Sequence, residues 1–252
     1  MGDWDNVERH KWNCDYPLLL NSPEGAKSGS QSNYGGMGTK SMRVAVDDSL
    51  KRLQVSHIDL YCVHAWEFAT SIPGLMKSLN TLVQQGKVLY LGISDTPAWV
   101  ITKDNAYARE YGLRQFSVYQ GRYSAMMRDL ERDIIPMARD EGMAIHSWDV
   151  LGSVPLTSVA LAYAPQKAPY IFPMVGGNKV FHLKVNVAAL SLELTPEDVA
   201  EVGKGYDFDL GFPHDFLNLA GLMPHGPQHV YFLAGLGHFD YVEPTTGIKP
   251  RK

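Results

Sequence analysis

Residues 88–120 read VLYLGISDTPAWVITKDNAYAREYGLRQFSVYQ, and the periodicity changes twice inside that stretch. VLYLGIS (88–94) is an apolar run with the length and branched content of a strand covered on both faces. Asp95, Thr96 and Pro97 interrupt it. PAWVITKDNAYAREYG (97–112) then spaces its apolar residues along one helical face and closes on Gly112, a residue that adopts a left-handed C-cap without strain. FSVYQ (116–120) resumes as a strand, and a helix between two strands predicts a parallel pair.

The unit recurs in both directions. Before it come helix MRVAVDDSLKRLQ (42–54), strand HIDLYCVH (57–64) and helix IPGLMKSLNTLVQQG (72–86). After it, strand FSVYQGRY (116–123) leads to helix DLERDIIPMARDEG, strand MAIHSWDV, helix TSVALAYAPQKA, strand YIFPMVG and helix KVFHLKVNVAAL, which ends at residue 190. Successive strands start about 28 residues apart, as βα units do, and Gly86, Gly112 and Gly142 close the helices between them. Alternation of this kind predicts a parallel sheet with helices outside it, and VLYLGIS and YIFPMVG should be covered on both faces. Residues 1–40 are rich in Gly, Ser, Asn and Pro without periodicity and read as a poorly ordered arm. Residues 41–216 form the body, and 217–252 read as an extended surface tail.

Two α/β folds accept the alternation. An open doubly wound sheet that binds a dinucleotide carries G-x-G-x-x-G after its first strand, and no strand here is followed by it. Instead, polar or aromatic residues stand at strand carboxyl ends: His64, Ser94 with Asp95, Gln120, Trp148 with Asp149, and Gly176 through Lys179. A (β/α)8 barrel of TIM type gathers its site at that rim, so the fold predicted is an α/β barrel.

Composition narrows the partners. A net charge of −4 provides no basic field for nucleic acid or an anionic membrane. No apolar run reaches the roughly 18 residues of a membrane span, and the N-terminus lacks an apolar signal core, which predicts a cytoplasmic protein acting on a small molecule. Two cysteines, Cys14 and Cys62, are too few for a disulfide framework. His214, His225, His229 and His238 lack the spacing of a zinc site, so no metal is expected.

Each strand-end residue has two readings at this level. His64 either polarises a carbonyl oxygen or is a satisfied rim histidine. Ser94, Asp95 and Gln120 together offer a hydroxyl, a carboxylate and an amide to a carboxamide, whereas Asp95 and Thr96 before Pro97 would equally cap the next helix. Trp148 stacks on a planar ring or packs in the core. V-G-G-N-K (175–179) at a strand-to-helix turn offers backbone N–H groups and a cation to a phosphate, or is a steric turn; His182, Lys184 and Asn186 follow on the same helix.

SLKRLQVSHIDLYCVH, GKVLYLGISDTPAWV, FSVYQG, ERDIIPMAR and VGGNKVFHLKVNVAAL followed by LTPE resemble the aldo-keto reductase superfamily, in its fungal aryl-alcohol dehydrogenase and norsolorinic acid reductase branch. The resemblance runs from about Ser32 to about Phe216. It implies an NADP(H)-dependent oxidoreductase that reduces an aldehyde or ketone, or oxidises the alcohol, in fungal secondary-metabolite biosynthesis. It also implies roles. His64 orients the carbonyl; Ser94, Asp95 and Gln120 hold the nicotinamide carboxamide; Trp148 stacks on the ring; Asp149, Val150, Leu151 and Gly152 follow the pyrophosphate; and Gly176, Asn178, Lys179, His182 and Asn186 grip the 2′-phosphate side.

The chain departs from that pattern in two places. The proton-donating tyrosine of a D-T-A-x-x-Y motif and the lysine that ends the following strand do not occur. The recognisable strands are therefore the fourth to eighth of an incomplete barrel, and five strands cannot close. Leu151 and Gly152 also run straight into SVPLTSVALAY, where the family inserts a long loop that folds over the cofactor. These departures leave a second reading, a non-catalytic relic or regulatory protein that keeps part of the cofactor groove.

Overall fold

The computed structural model describes residues 12–14, 36–151, 157–177, 179–218, 226–242 and 245–250. They belong to two compact units, Met1–Gln120 with Glu141–Met143, and Gly121–Asp140 with Ala144–Lys252.

In the first unit every strand pairing is parallel. Strand β2 (Ile58–His64) pairs with β3 (Val88–Ser94) in continuous register from Ile58↔Val88 to His64↔Ser94, and β3 pairs with β4 (Phe116–Arg122), whose last two residues fall in the second unit. Helices α1 (Thr39–Leu53), α2 (Ile72–Gln84) and α3 (Ala98–Glu110) separate them. α2 shows why such a segment folds locally: Ser71 accepts from the Gly74 N–H, Pro73 stands in the first turn, and Leu75, Met76, Leu79 and Leu82 are buried at helical spacing. Gly86, Gly112 and Gly142 all take positive φ, the left-handed cap expected of them. Gly92 has a packing reason instead, because the Cys62 sulfur lies 2.5 Å from where a Cβ would stand.

A strand that sequence reading placed in the unstructured arm, β1 (Trp12–Cys14), pairs parallel with β2 from Trp12↔Leu60 to Cys14↔Cys62. Six strands, not five, are thus described, and α1 begins inside the stretch assigned to the arm.

The second unit holds β5 (Ala144–Trp148) and β6 (Ile171–Pro173), again parallel, with Ile145↔Ile171 and Ser147↔Pro173 in register. Helices α4 (Ile134–Asp140), α5 (Thr157–Lys167), α6 (Val180–Ala189) and α7 (Pro196–Lys204) accompany them. A core of Ala125, Ala162, Tyr163 and Leu194, flanked by Val159, Leu192, Val199 and Val202, joins α5 to α7. The single helix expected over 129–142 is broken into a 3₁₀ turn, Asp129–Glu131, and α4, because Pro136 is tolerated only in a first turn and the helix restarts just before it. β6 stops at Pro173, which cannot donate to the ladder, and so spans less than YIFPMVG. α7 had no counterpart in the periodicity; its Thr195–Asp198 capping box defines it. The described part of the tail is not uniformly extended: Asn218 bridges Val230, a helical turn covers Tyr231–Ala234, and the Ile248 N–H donates to the Pro165 carbonyl.

This alternation of parallel strands and helices is that of an incomplete (β/α)8 barrel. Incompleteness explains a further difference. Leu89 and Tyr90 on β3, and Phe172, Met174 and Val175 in and after β6, are exposed where a closed barrel would cover both faces.

Candidate active site

Parallel register brings three of the predicted residues into one row. His64, Ser94 and Gln120 are successive Cα partners across β2, β3 and β4, so their side chains leave the same face of the sheet at its carboxyl end. One layer below them on that face lie Cys62, Gly92 and Val118. Each strand is tied to the next just past the row. The Ala65 N–H donates to the Ser94 carbonyl at 3.1 Å, and the Asp95 N–H to the Gln120 carbonyl at 3.4 Å.

The chain turns left-handed at Ala65 (φ 56°) and Asp95 (φ 44°). That turn swings the Asp95 carboxylate back across the sheet, where Oδ2 lies 3.4 Å from His64 Nδ1. Thr96 donates from its hydroxyl to the Ser94 carbonyl at 2.9 Å. Neither residue caps α3, whose N-cap is Pro97 without a side-chain bond, so the capping reading is corrected. His64 stays partly accessible, its side chain 16% exposed.

Ser94 is 2% exposed, and its hydroxyl has no hydrogen-bond partner among the described residues. A buried hydroxyl left so costs about 1–3 kcal/mol, and native structures keep such groups where something else engages them. Ser94 beside the Gln120 amide, which is also buried, fits a ligand carboxamide that needs both a donor and an acceptor.

In the second unit, β5 ends on Trp148, and Asp149 turns left-handed at φ 55°. Arg122 contacts Asp149 Oδ2 from Nε and Nη2, each at 2.7 Å, and its guanidinium lies 5.7 Å from the Trp148 ring centroid. Arg122 thus takes one face of Trp148 and neutralises a carboxylate that would otherwise repel a phosphate. Sequence reading missed it; the available signal was a cation two residues beyond Gln120. Val150 is buried, Leu151 half-buried, and Gly152 lies outside the described residues. Below Trp148, burial holds the His146 imidazole below its ordinary pKa range, and the Ser147 hydroxyl is buried without a partner among the described residues.

At the start of α6, Gly176, Lys179 and His182 are exposed and Asn186 is half-buried, while Asn178 lies outside the described residues. Lys179 is the N-cap and supplies no side-chain bond, so the first turn faces outward with a cation beside it. His182 and Asn186 share a helix face. The His182 Cβ comes within 2.9 Å of where a Cβ on Gly177 would stand, which is why the turn needs that glycine. Among the described residues, no helix is long and apolar enough to cross a membrane.

The motifs at these positions have counterparts in known proteins. The profile of the aldo/keto reductase family matches residues 25–158 and 152–206. The chain belongs to the aldo/keto reductase family. It is 51% identical to an aryl-alcohol dehydrogenase of Pestalotiopsis microspora over 271 residues, covering 92% of this chain and 70% of that protein. It is 45% identical to norsolorinic acid reductase B of Dothistroma septosporum, covering 87% and 69%. A putative aryl-alcohol dehydrogenase of Saccharomyces cerevisiae is 40% identical, with 75% and 82% covered. This aldo/keto reductase is therefore an oxidoreductase of small-molecule carbonyls or alcohols, in a family that generally uses a nicotinamide cofactor.

The 271 aligned residues exceed the 252 of this chain, so the Pestalotiopsis protein carries residues inside the aligned span that this aldo/keto reductase lacks. The family match divides at 152–158, where the long loop was expected and not found.

Proposed function

We propose that this aldo/keto reductase is an NADP(H)-dependent carbonyl reductase, or alcohol dehydrogenase in the reverse direction. We place it in the cytoplasm, acting on an aryl or polycyclic secondary metabolite. The observation that carries this reading is the in-register row His64, Ser94 and Gln120, in which the buried Ser94 hydroxyl has no partner among the described residues. Ser94 and Gln120, with Asp95 at their edge, hold the carboxamide, and His64 faces the carbonyl oxygen. The free face of Trp148 takes the ring, and Asp149 through Gly152 follow the pyrophosphate. Gly176, Asn178, Lys179, His182 and Asn186 receive the 2′-phosphate at the start of α6, which favours NADP over NAD. The reduced nicotinamide, when bound, supplies the hydride. The names of the Pestalotiopsis and Dothistroma relatives, an aryl-alcohol dehydrogenase and a norsolorinic acid reductase, support the aryl part of this reading.

The test is consumption of NADPH, and separately of NADH, against a panel of aryl aldehydes and polycyclic ketones. Turnover with a preference for NADPH is expected; none with any carbonyl at saturating NADPH sinks the reading. A second reading, a protein that binds the cofactor without turning it over, is favoured by the absence of the D-T-A-x-x-Y and lysine motifs. Quenching of Trp148 fluorescence by NADPH without turnover would select it.

A further inference from the structure

We propose that this chain pairs with a second copy of itself through α6, the two helices running antiparallel. α6 is apolar nearly all round, with His182, Lys184 and Asn186 as its only polar residues, and a helix of that kind is ordinarily buried. One face is. Val185 is half-buried and Ala189 buried where α6 meets α5. The opposite face stands in water. Val180, Leu183 and Val187, with Leu190 at the C-cap, are 72%, 59%, 57% and 67% exposed. At about 100° per residue these four fall within one arc of about 80°. α7, in the same unit, exposes Glu197, Glu201 and Lys204 instead.

The spacing identifies the occupant. Steps of three, four and three residues are those of a two-helix seam, which keep an apolar row facing its partner. They also read the same in either direction. A copy turned end for end therefore meets the row with Val180 against Leu190 and Leu183 against Val187, a smaller side chain opposite a larger one at each level. That is the self-complementarity a two-fold interface requires. Antiparallel pairing also sets the positive amino end of each helix beside the negative carboxyl end of the other. A foreign helix would be selected by charges along the flanks of the row, and α6 has only Lys184, on one flank, where its ammonium reaches water.

The area is sufficient. Together with Phe181, and with Phe172, Met174 and Val175 in and after β6, the row leaves roughly 800 Å² in water, the share that each partner contributes to a stable protein–protein interface. Exposed apolar surface of that extent marks a site of association.

Sedimentation equilibrium of the full chain should show a monomer–dimer equilibrium across the micromolar range. L183E should weaken the dimer by about 30-fold or more, whereas L89E, which charges an exposed leucine of the first unit, should leave it unchanged. Both positions are exposed, and circular dichroism checks that both variants fold. Cross-linking tests the direction: V180C chains mixed with L190C chains should join under mild oxidation, and V180C chains alone should not, because antiparallel pairing holds the two copies of residue 180 about 15 Å apart. A chain that stays monomeric, a dimer that survives L183E or is lost in L89E, or V180C chains that join on their own overturn the proposal. Assembly that continues past the dimer overturns it too, since a two-fold contact closes on itself. None of these measurements needs turnover, so the result is independent of the proposed reaction.

Discussion

The two units each bury a carboxylate, and they treat it in opposite ways. In the second unit Glu131 accepts from Tyr123 Oη at 2.9 Å and from Arg128 Nε and Nη2 at 2.8 Å. Arg128 also donates to the Gly203 carbonyl at 3.3 Å and lies over the Phe208 ring, so one ion pair joins the 3₁₀ turn to the end of α7. Burial and the Glu131 charge push Tyr123 well above its usual range, and burial first, then Glu131, pushes Tyr163 up to about 12. In the first unit Asp104 on α3 is fully buried, neither oxygen has a partner among the described residues, and burial alone pushes its carboxyl to about 7. Charge in the second unit is architecture. Both units also hold buried polar atoms without a partner among the described residues, Asp104 and Ser94 in the first and Ser147 and Tyr163 in the second, and of the first unit's two it is Ser94 that stands at the strand ends.

The largest effect that would sharpen this contrast is E131A, which leaves Arg128 buried without its partner and should destabilise the protein by about 3–5 kcal/mol in urea unfolding. A loss below about 1 kcal/mol would show that the network is not structural. G92A should cost about 1–3 kcal/mol, because the new methyl meets the Cys62 sulfur, and C62A in the same chain should recover most of that loss.

D104N breaks the comparison from the other side. A carboxyl whose folded pKa, about 7, lies above its unfolded 3.8 binds more protons when folded, so its contribution is present at low pH and is lost as pH rises through that window. D104N should therefore match the parent near pH 4 and exceed its stability by about 1–2 kcal/mol at pH 8, measured by thermal unfolding. An equal difference at both pH values would show that Asp104 has a partner. The smallest effect is K179A, which should reduce the preference for NADPH over NADH by about tenfold, roughly 1.4 kcal/mol, in fluorescence titration. An unchanged preference would remove the start of α6 from the phosphate reading.

The quoted stretch was readable nearly to the residue. VLYLGIS is β3, and α3 spans Ala98–Glu110 within the 97–112 assigned to it. Both follow from short-range periodicity, which is written into neighbouring side chains. β1 was not legible, because Trp12–Cys14 is strand only through its pairing with β2, and three polar and aromatic residues carry no period of their own. α7 was legible in principle, from Thr195, Pro196 and Asp198. The strand-end residues were identifiable as a set, since polar side chains closing apolar strands stand out; their partners were not.

Sequence by itself determined the alternation of strands and helices, the family motifs, the residues at the strand ends, and the absence of the tyrosine and lysine motifs. Tertiary structure alone decided that His64, Ser94 and Gln120 share one row, that Asp95 turns to His64 instead of capping α3, that Arg122 neutralises Asp149, and that Glu131 is paired while Asp104 has no partner among the described residues. The physical reason is range. Periodicity and capping act within a few residues along the chain, whereas register, a left-handed φ and the burial of a charge set distances between side chains that only folding brings together.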